Sequence, residues 1–415
     1  MAKTRNKRIV LDLIRTRCPI SRTQLASVTG MNKATISGIV GEFIRRGIVR
    51  EIGSGASAAG RKPVLLSFVA DSAYVIGIVL NVDHARLVVT DLEAEVVCQR
   101  KEALRDTSAE AVLRQVAAMV ERAEAECGCA AGRIAAIGVG VPGFVDFESG
   151  VVIHTPNMNL SSINVKQYLE MRFHIPVFVD NSANVAAFGE RLFGAGRHFE
   201  HFVYLSVSTG IGAGIVMNGE LQRGAVGFAG ELGHMIVEPH GLPCTCGGQG
   251  CLEVYGSLKA LYRQVARALG EDPECYRPDI LPAVVAAADS GERFAVEELH
   301  AVGFYLGVGI AGIASAFNPQ AVFVGNEIAV AEKWVMPVVE TVVHTRCPRH
   351  VRDGLTLSML PYSVNTTEVG AASLGVHGYL RRLAQPDDGA RAKEVGTGDG
   401  AELADAEAGC RSIGR

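Results

Sequence analysis

The sequence predicts an N-terminal winged helix-turn-helix followed by a two-lobed α/β body. Three observations predict it. Basic charge is gathered at the start: residues 1–62 hold 13 Lys/Arg against Asp12, Glu42 and Glu51, a net +10 in a chain whose total is −4, so the remainder is −14. Helical periodicity over residues 3–47 gives way to short strands around a glycine-rich loop. After Tyr74 a unit of hairpin, helix and buried strand occurs twice. The 415 residues suit two or three domains. The expected boundaries are 1–70 for the head, 71–180 and 181–383 for the two lobes, and 384–415 for a tail.

The first head helix is expected over roughly 4–17, with Ile9, Val10, Leu13 and Ile14 on its inner face. In "PISRTQLASVTG", Ser21 is a good N-cap, Gln24 completes a capping box and Gly30 ends the helix. "MNKATISGIVGEFIRRG" then buries Ile36, Val40, Phe43 and Ile44. Asn32, Lys33, Thr35 and Ser37 are left near its exposed start, and Arg45 and Arg46 near its end. A second helix with a polar beginning is the geometry that enters a DNA major groove, where short side chains reach base edges and arginines hold phosphates. A helical dimerisation bundle is the alternative. "GIVREIGSGASAAGRKPVLLSFVA" reads as strand, loop and strand. Its Arg61 and Lys62 lie either on a wing tip suited to a narrow minor groove or on a linker with incidental charge.

The body begins with "YVIGIVLNVDHARLVVTDLEAEVV", two antiparallel strands around a polar turn. The amphipathic helix "AEAVLRQVAAMVERAEAE" and the buried strand "IAAIGVGVPGFVD" follow. The second unit opens with "HFVYLSVSTGIGAGIVMNGEL" and includes the strand "AVFVGNEIAV". Two such lobes leave a cleft, the usual place for a small ligand. The glycines of "STGIGAGI" suit either close approach to a ligand or simply a tight hairpin.

Cys244, Cys246 and Cys251 fall within eight residues, ten after His234. Three thiolates and an imidazole make a closed tetrahedral zinc set of the structural kind, one ion per chain; a reduced thiol cluster is the alternative. Glu231 and Glu253 flank it, as carboxylates presented to the cleft or as surface charge. The other seven of ten cysteines are scattered, as in a chain without a disulfide framework. No apolar run reaches the ~18 residues of a membrane span. The cationic start lacks the apolar core of a signal peptide. A cytoplasmic protein without membrane association is expected. The tail is rich in Gly, Ala and Asp, lacks apolar periodicity and is expected to be disordered.

"GELGH" and "CTCGGQGCLE", with the "PISRTQLASVTGMNKATISGIV" and "GRKPVLL" stretches of the head, resemble the ROK family (repressors, open reading frames and kinases) over about residues 5–383. Within it the likeness is to the transcriptional, xylose-repressor-like branch. The resemblance implies an actin-like (ribonuclease H-like) sugar-kinase-type body and zinc at His234, Cys244, Cys246 and Cys251. It implies sugar hydroxyls held by Asn181, Glu231, His234 and Glu253, with Gly143 and Asn157 lining the pocket. The expected function is a sugar-responsive repressor that binds double-stranded operator DNA as a homodimer or homotetramer, with a monosaccharide effector.

Kinases of the family open the first hairpin with Asp-x-Gly-Gly-Thr, which cradles ATP phosphates. Here the corresponding residues are Val79, Asn81, Val82 and Asp83. Their catalytic Asp is Ser182 here, a hydroxyl that is no base near neutral pH without a partner, though it can hydrogen-bond a sugar hydroxyl. The adjacent Asp180 points to the other strand face. Phosphotransfer is therefore not expected. An ATP-dependent sugar kinase with an accessory DNA-binding head is the alternative.

Overall fold

The computed structural model of the chain describes residues 2–54, 63–128, 132–155, 158, 160–273, 277, 279–361 and 366–385. Arg61, Lys62, Asn157 and tail residues 386–415 lie outside the described residues.

The head is built from α1 (Ala2–Thr16), β1 (Ile20–Ser21), α2 (Arg22–Thr29), α3 (Lys33–Arg45), β2 (Val49–Ser54) and β3 (Val64–Phe68), with the strands ordered β1-β3-β2. The capping box of α2 forms: Gln24 N donates to Ser21 Oγ at 3.2 Å, and Ser21 N to Gln24 Oε1 at 2.9 Å. Gly30 ends the helix at φ 69°. On α1 the inner face is Val10, Leu11 and Ile14; Ile9 is exposed, because one residue of rotation puts Leu11 against the core instead. On α3, Ile36, Ile39, Val40 and Phe43 are buried. Each such large side chain contributes about 1.5–3 kcal/mol.

The first lobe follows: β4 (Tyr74–Leu80), β5 (His84–Thr90), β6 (Val96–Ala103), α4 (Ala109–Glu126), β7 (Ile134–Val141), β8 (Phe144–Asp146), β9 (Val151–His154), β10 (Ser161–Asn164), α5 (Val165–Phe173) and β11 (Val177–Asn181). Its main sheet is ordered β11-β7-β4-β5-β6, while β8, β9 and β10 form a small separate sheet. Every residue of β4 is buried. Tyr74, Ile76, Ile78 and Leu80 face α4, whereas Val75 and Val79 face the other side, the two-residue period of a strand covered on both faces.

The helix α6 (Ser182–Leu192) leads to the second lobe: β12 (Phe202–Val207), β13 (Ile211–Met217), β14 (Glu220–Leu221), α7 (Glu253–Gly256), α8 (Leu258–Leu269), α9 (Ile280–Asp289), α10 (Arg293–Phe317), β15 (Ala321–Gly325), α11 (Glu332–Arg346), α12 (Arg349–Arg352) and β16 (Thr356–Met359). Its sheet, β14-β13-β12-β15-β16, repeats the first: an antiparallel hairpin with a third strand, then two parallel strands. The apolar α10 is long enough to span a membrane by composition, but Leu299, Leu306, Ile310 and Ile313 are fully buried in this lobe's core.

The last helix, α13 (Thr366–Leu383), corrects the expected boundary, which places all of 181–383 in the second lobe. It packs on β4 and β7 of the first. A Cβ on Gly138 of β7 would lie 1.8 Å from Ala371 O, so only glycine admits α13 this closely. Ala372, Val376 and Leu380 of α13 join Val10, Leu11 and Phe43 of the head and Val75 and Ala136 of the first sheet in one core. The head is thus docked on the body.

Candidate functional site

Asn181 ends β11 and caps α6: its Oδ1 accepts from Ala183 N at 2.8 Å, and its Nδ2 donates to Gly143 O at 2.7 Å. One amide N–H and one acceptor lone pair remain for a ligand. Asn181, Ser182, Gly143, Glu231, His234 and Glu253 all line one cavity of about 350 Å³ between the lobes. Glu253, at the start of α7, accepts from Ile211 N at 2.9 Å. A Cβ at the adjoining Gly210 would sit 2.7 Å from Glu253 Oε2, so a larger residue there would push this carboxylate aside. Glu231 is 40% exposed, yet burial raises its pKa; the neighbouring Glu253 adds to this and His234 opposes it.

His234, Cys244, Cys246 and Cys251 converge, with all ligand atoms within 4.8 Å of one another. Cys244 Sγ lies 3.6 Å from His234 Nδ1, and Cys246 Sγ 3.7 Å from Cys251 Sγ. Ligands about 2.3 Å from a tetrahedral ion would be separated by about 3.8 Å, so the cluster fits a metal ion of that kind. Nδ1 faces the thiols, and Nε2 faces Glu231 Oε2 at 3.9 Å.

The opposite half of the cavity is lined by Asn81, Val82, Asp83 and His84 from the first hairpin and by Ser206, Ser208, Asn326 and Glu327 from the second lobe. Asn81 Nδ2 lies 3.0 Å from His84 Nε2, and His84 Nδ1 lies 2.5 Å from Asp83 Oδ1. Side chains of Asn81, Asp83 and His84 therefore fill this turn of the β4–β5 hairpin. Burial lowers the pKa of His84, opposed by its bond to Asp83. Burial raises that of Glu327, with the Ser208 hydroxyl and Arg86 opposing and Asp83 adding. Reading the sequence missed His84 and Glu327, which carry no motif; only the cavity shows them.

In the head, Lys33, Ser37 and Arg45 are exposed on α3, and Thr35 is half-buried. Asn32 Oδ1 is spent as the cap, accepting from Thr35 N at 2.8 Å. Ala34, Ser37, Gly38 and Gly41 give the outer face of α3 a low profile. Arg46 turns inward: it donates to Leu383 O at 3.0 Å and pairs with Glu42 at 3.2 Å, so the structure does not place it with the exposed cations. Lys7 is also internal, on Glu42 at 2.7 Å.

Residues 75–375 match the ROK family. The chain belongs to the ROK family. Among relatives, it is 33% identical over 377 residues to a xylose repressor of Bacillus spizizenii, covering 90% of this chain and 96% of that protein. It is 30% identical over 362 residues to the DNA-binding transcriptional dual regulator NagC of Escherichia coli strain K12, covering 86% and 88%. Among solved structures, a ROK family transcriptional regulator homologous to the E. coli MLC protein superposes with a TM-score of 0.81 at 28% identity, covering 92% and 98%. A ROK glucokinase of Streptomyces griseus, solved with glucose and AMPPNP, gives 0.65 at 29%, covering 74% of this chain and 100% of the kinase. The ROK core is thus shared with sugar kinases, and the longer match is to a regulator.

Proposed function

We propose that this ROK protein is a sugar-responsive transcriptional repressor: a monosaccharide in the cleft changes the affinity of the head for operator DNA. The observation that carries this reading is the fusion of a sugar-type cavity to a basic head through a shared core. The head reads as a winged helix-turn-helix, with α3 as the groove helix and β2–β3 as the wing. Asn32, Lys33, Thr35, Ser37 and Arg45 supply its DNA face, with Arg61 and Lys62 as further candidate DNA contacts. Paired half-sites call for a homodimer or homotetramer, acting in the cytoplasm.

Asn181, Ser182, Glu231, His234 and Glu253 suit sugar hydroxyls, since amides and carboxylates bind adjacent hydroxyls in pairs. Zinc is the ion that suits His234, Cys244, Cys246 and Cys251. When bound it supplies structure, not chemistry on the ligand. His234 then offers Nε2 to the cleft or to Glu231, its orientation fixed through Nδ1. No carboxylate stands where ROK kinases keep their base, and Asn81, Asp83 and His84 fill the phosphate turn, so the protein acts as a sensor and not as a kinase.

The route to the head runs along α6 and α13. Asn181 caps α6 in the cleft; beyond its other end, Phe193 lies under the guanidinium of Arg15 of α1, at 5.6 Å. Beside it, α13 ends at Leu383, whose carbonyl holds Arg46. Lobe closure that displaces this pair carries the head with it. Ligand shifts the equilibrium only by its differential affinity for the two states.

The test selects operator DNA with the full chain, then measures its affinity by fluorescence anisotropy with D-xylose, D-glucose and N-acetylglucosamine. One sugar is expected to change operator affinity at least tenfold. Affinity indifferent to every sugar that binds would sink the switch. ADP release with ATP and any aldose, above background, would restore the kinase reading.

A further inference from the structure

The sugar-side wall of the cleft is held from behind by one ion pair that crosses between the lobes. Asp180 of β11 is 2% exposed. Its Oδ1 accepts from Asn181 N at 2.8 Å and Asn184 Nδ2 at 2.9 Å. Its Oδ2 accepts from Arg223 Nε at 3.1 Å and Nη2 at 2.7 Å. Arg223 follows β14 in the second lobe, and its guanidinium lies 3.8 Å from the centre of the Phe147 ring in the turn between β8 and β9 of the first. Its carbonyl accepts from Ala229 N at 3.0 Å. Ala229, Phe228 and Glu231 line the cavity, whereas Asp180 and Arg223 do not. Phe228 adds a second crossing, edge-on to Phe144 at 5.4 Å.

We propose that Arg223 is a positioning residue for effector binding, a clasp that holds the 223–231 loop against the first lobe and fixes Asn181 through Asp180. The proposal rests on the sugar-binding reading above. One guanidinium joins three parts of the wall: the strand end that bears Asn181, the Phe147 turn and the loop that bears Glu231. An arginine does this where a lysine does not, because its planar fork gives two bonds to one carboxylate oxygen while its face stacks on a ring. Asp180, almost fully buried, has no solvent to replace the lost partner, so the clasp does not exchange cheaply for water. The Asn181 backbone N–H donates to the same carboxylate, so a shift of Asp180 turns the residue whose side-chain amide faces the ligand. A role limited to satisfying Asp180 would support stability alone and leave sugar affinity per folded molecule unchanged.

The test uses the full chain with its metal, as wild type, R223K and R223Q. Calorimetric titration with D-xylose, D-glucose and N-acetylglucosamine is paired with amide hydrogen exchange in the absence of sugar. For a sugar that the wild type binds, R223Q is expected to weaken Kd about tenfold. R223K, which keeps charge without the fork, is expected to weaken it about threefold. The ligand is neutral and burial shields the pair from salt, so the Kd of wild type and of R223Q should each stay level as NaCl rises from about 50 to about 500 mM. Exchange over 224–231 should accelerate in R223Q, with β4 and β7 unchanged. Unchanged Kd in R223Q overturns the positioning role, whatever happens to melting temperature. If the wild type binds none of the three sugars, the sugar reading fails, and unchanged exchange over 224–231 then overturns the clasp itself.

Discussion

The two lobes share one sheet topology and differ in what they carry. The first docks the head through α13 and ends its β4–β5 hairpin in Asn81, Asp83 and His84. The second carries the His234/Cys244/Cys246/Cys251 cluster and keeps its β12–β13 turn rich in glycine, with Ile211 N–H spent on Glu253. The difference teaches that the sheets are interchangeable scaffolds. Loops at the cleft and helices on the outer faces decide what each lobe does.

The largest effect should come from the second lobe's cluster. Chelation, or Cys246→Ser, is expected to weaken sugar binding about 10- to 100-fold and to lower the melting temperature. Calorimetry and thermal shift read both. Operator binding without sugar should persist; its loss would mean that the cluster supports the head as well.

At the head junction, His377 packs edge-on against Phe188 at 5.3 Å and shares a small cavity with Arg8, Asp12, Arg15 and Arg381. Burial, reinforced by Arg381, Arg8, Arg15 and Arg223, lowers its pKa from 6.5 to about 4. The unfolded chain therefore takes up the proton first, so stability falls as pH drops from about 6.5 towards about 4 and is unaffected above that range. The loss is about 1.4 kcal/mol per pH unit within it. Denaturant titrations at pH 7 and 5 should show it, and H377F should remove it.

Glu253→Gln is expected to weaken sugar Kd about tenfold, since it replaces a charged acceptor by a neutral amide, whose oxygen can still accept from Ile211 N but whose NH2 offers the ligand donors in place of a carboxylate oxygen. Lys33→Ala should lower DNA affinity for all sequences alike and reduce the salt slope by about 1. The smallest expected effect is that of Ser182→Asp. It restores a carboxylate in the cleft but leaves the occupied first-lobe hairpin, so ADP release with aldoses should stay at background. Turnover would show that the two halves of the cleft have diverged less than their side chains indicate.

Much of this was legible in the chain. The capping box at Ser21 and Gln24, the repeated hairpin–helix–strand unit and the convergence of His234 with three cysteines all depend on local spacing. The sequence leaves the inner face of α1 open because five apolar residues in six (Ile9, Val10, Leu11, Leu13 and Ile14) do not determine the rotation. From the sequence Arg46 reads as a phosphate contact, but its partner, the Leu383 carbonyl, lies 337 residues away and leaves no mark near position 46. His84 and Glu327 belong to no motif and became site residues only through burial beside the cavity. Strand alternation turns Asp180 away from the cleft, and the structure shows what it does there: it accepts from Arg223, Asn181 and Asn184.

The sequence by itself determined the order of elements, the basic head and the convergence of His234 with three cysteines, because these follow from periodicity, charge and short-range spacing, while its motifs carried the likeness to the ROK family. Only the tertiary structure decided that α13 returns to the first lobe, that the head shares its core, and that Arg223 meets Asp180 across the lobes. Those outcomes depend on which distant surfaces bury one another, and pairwise burial over hundreds of residues has no local signature to read.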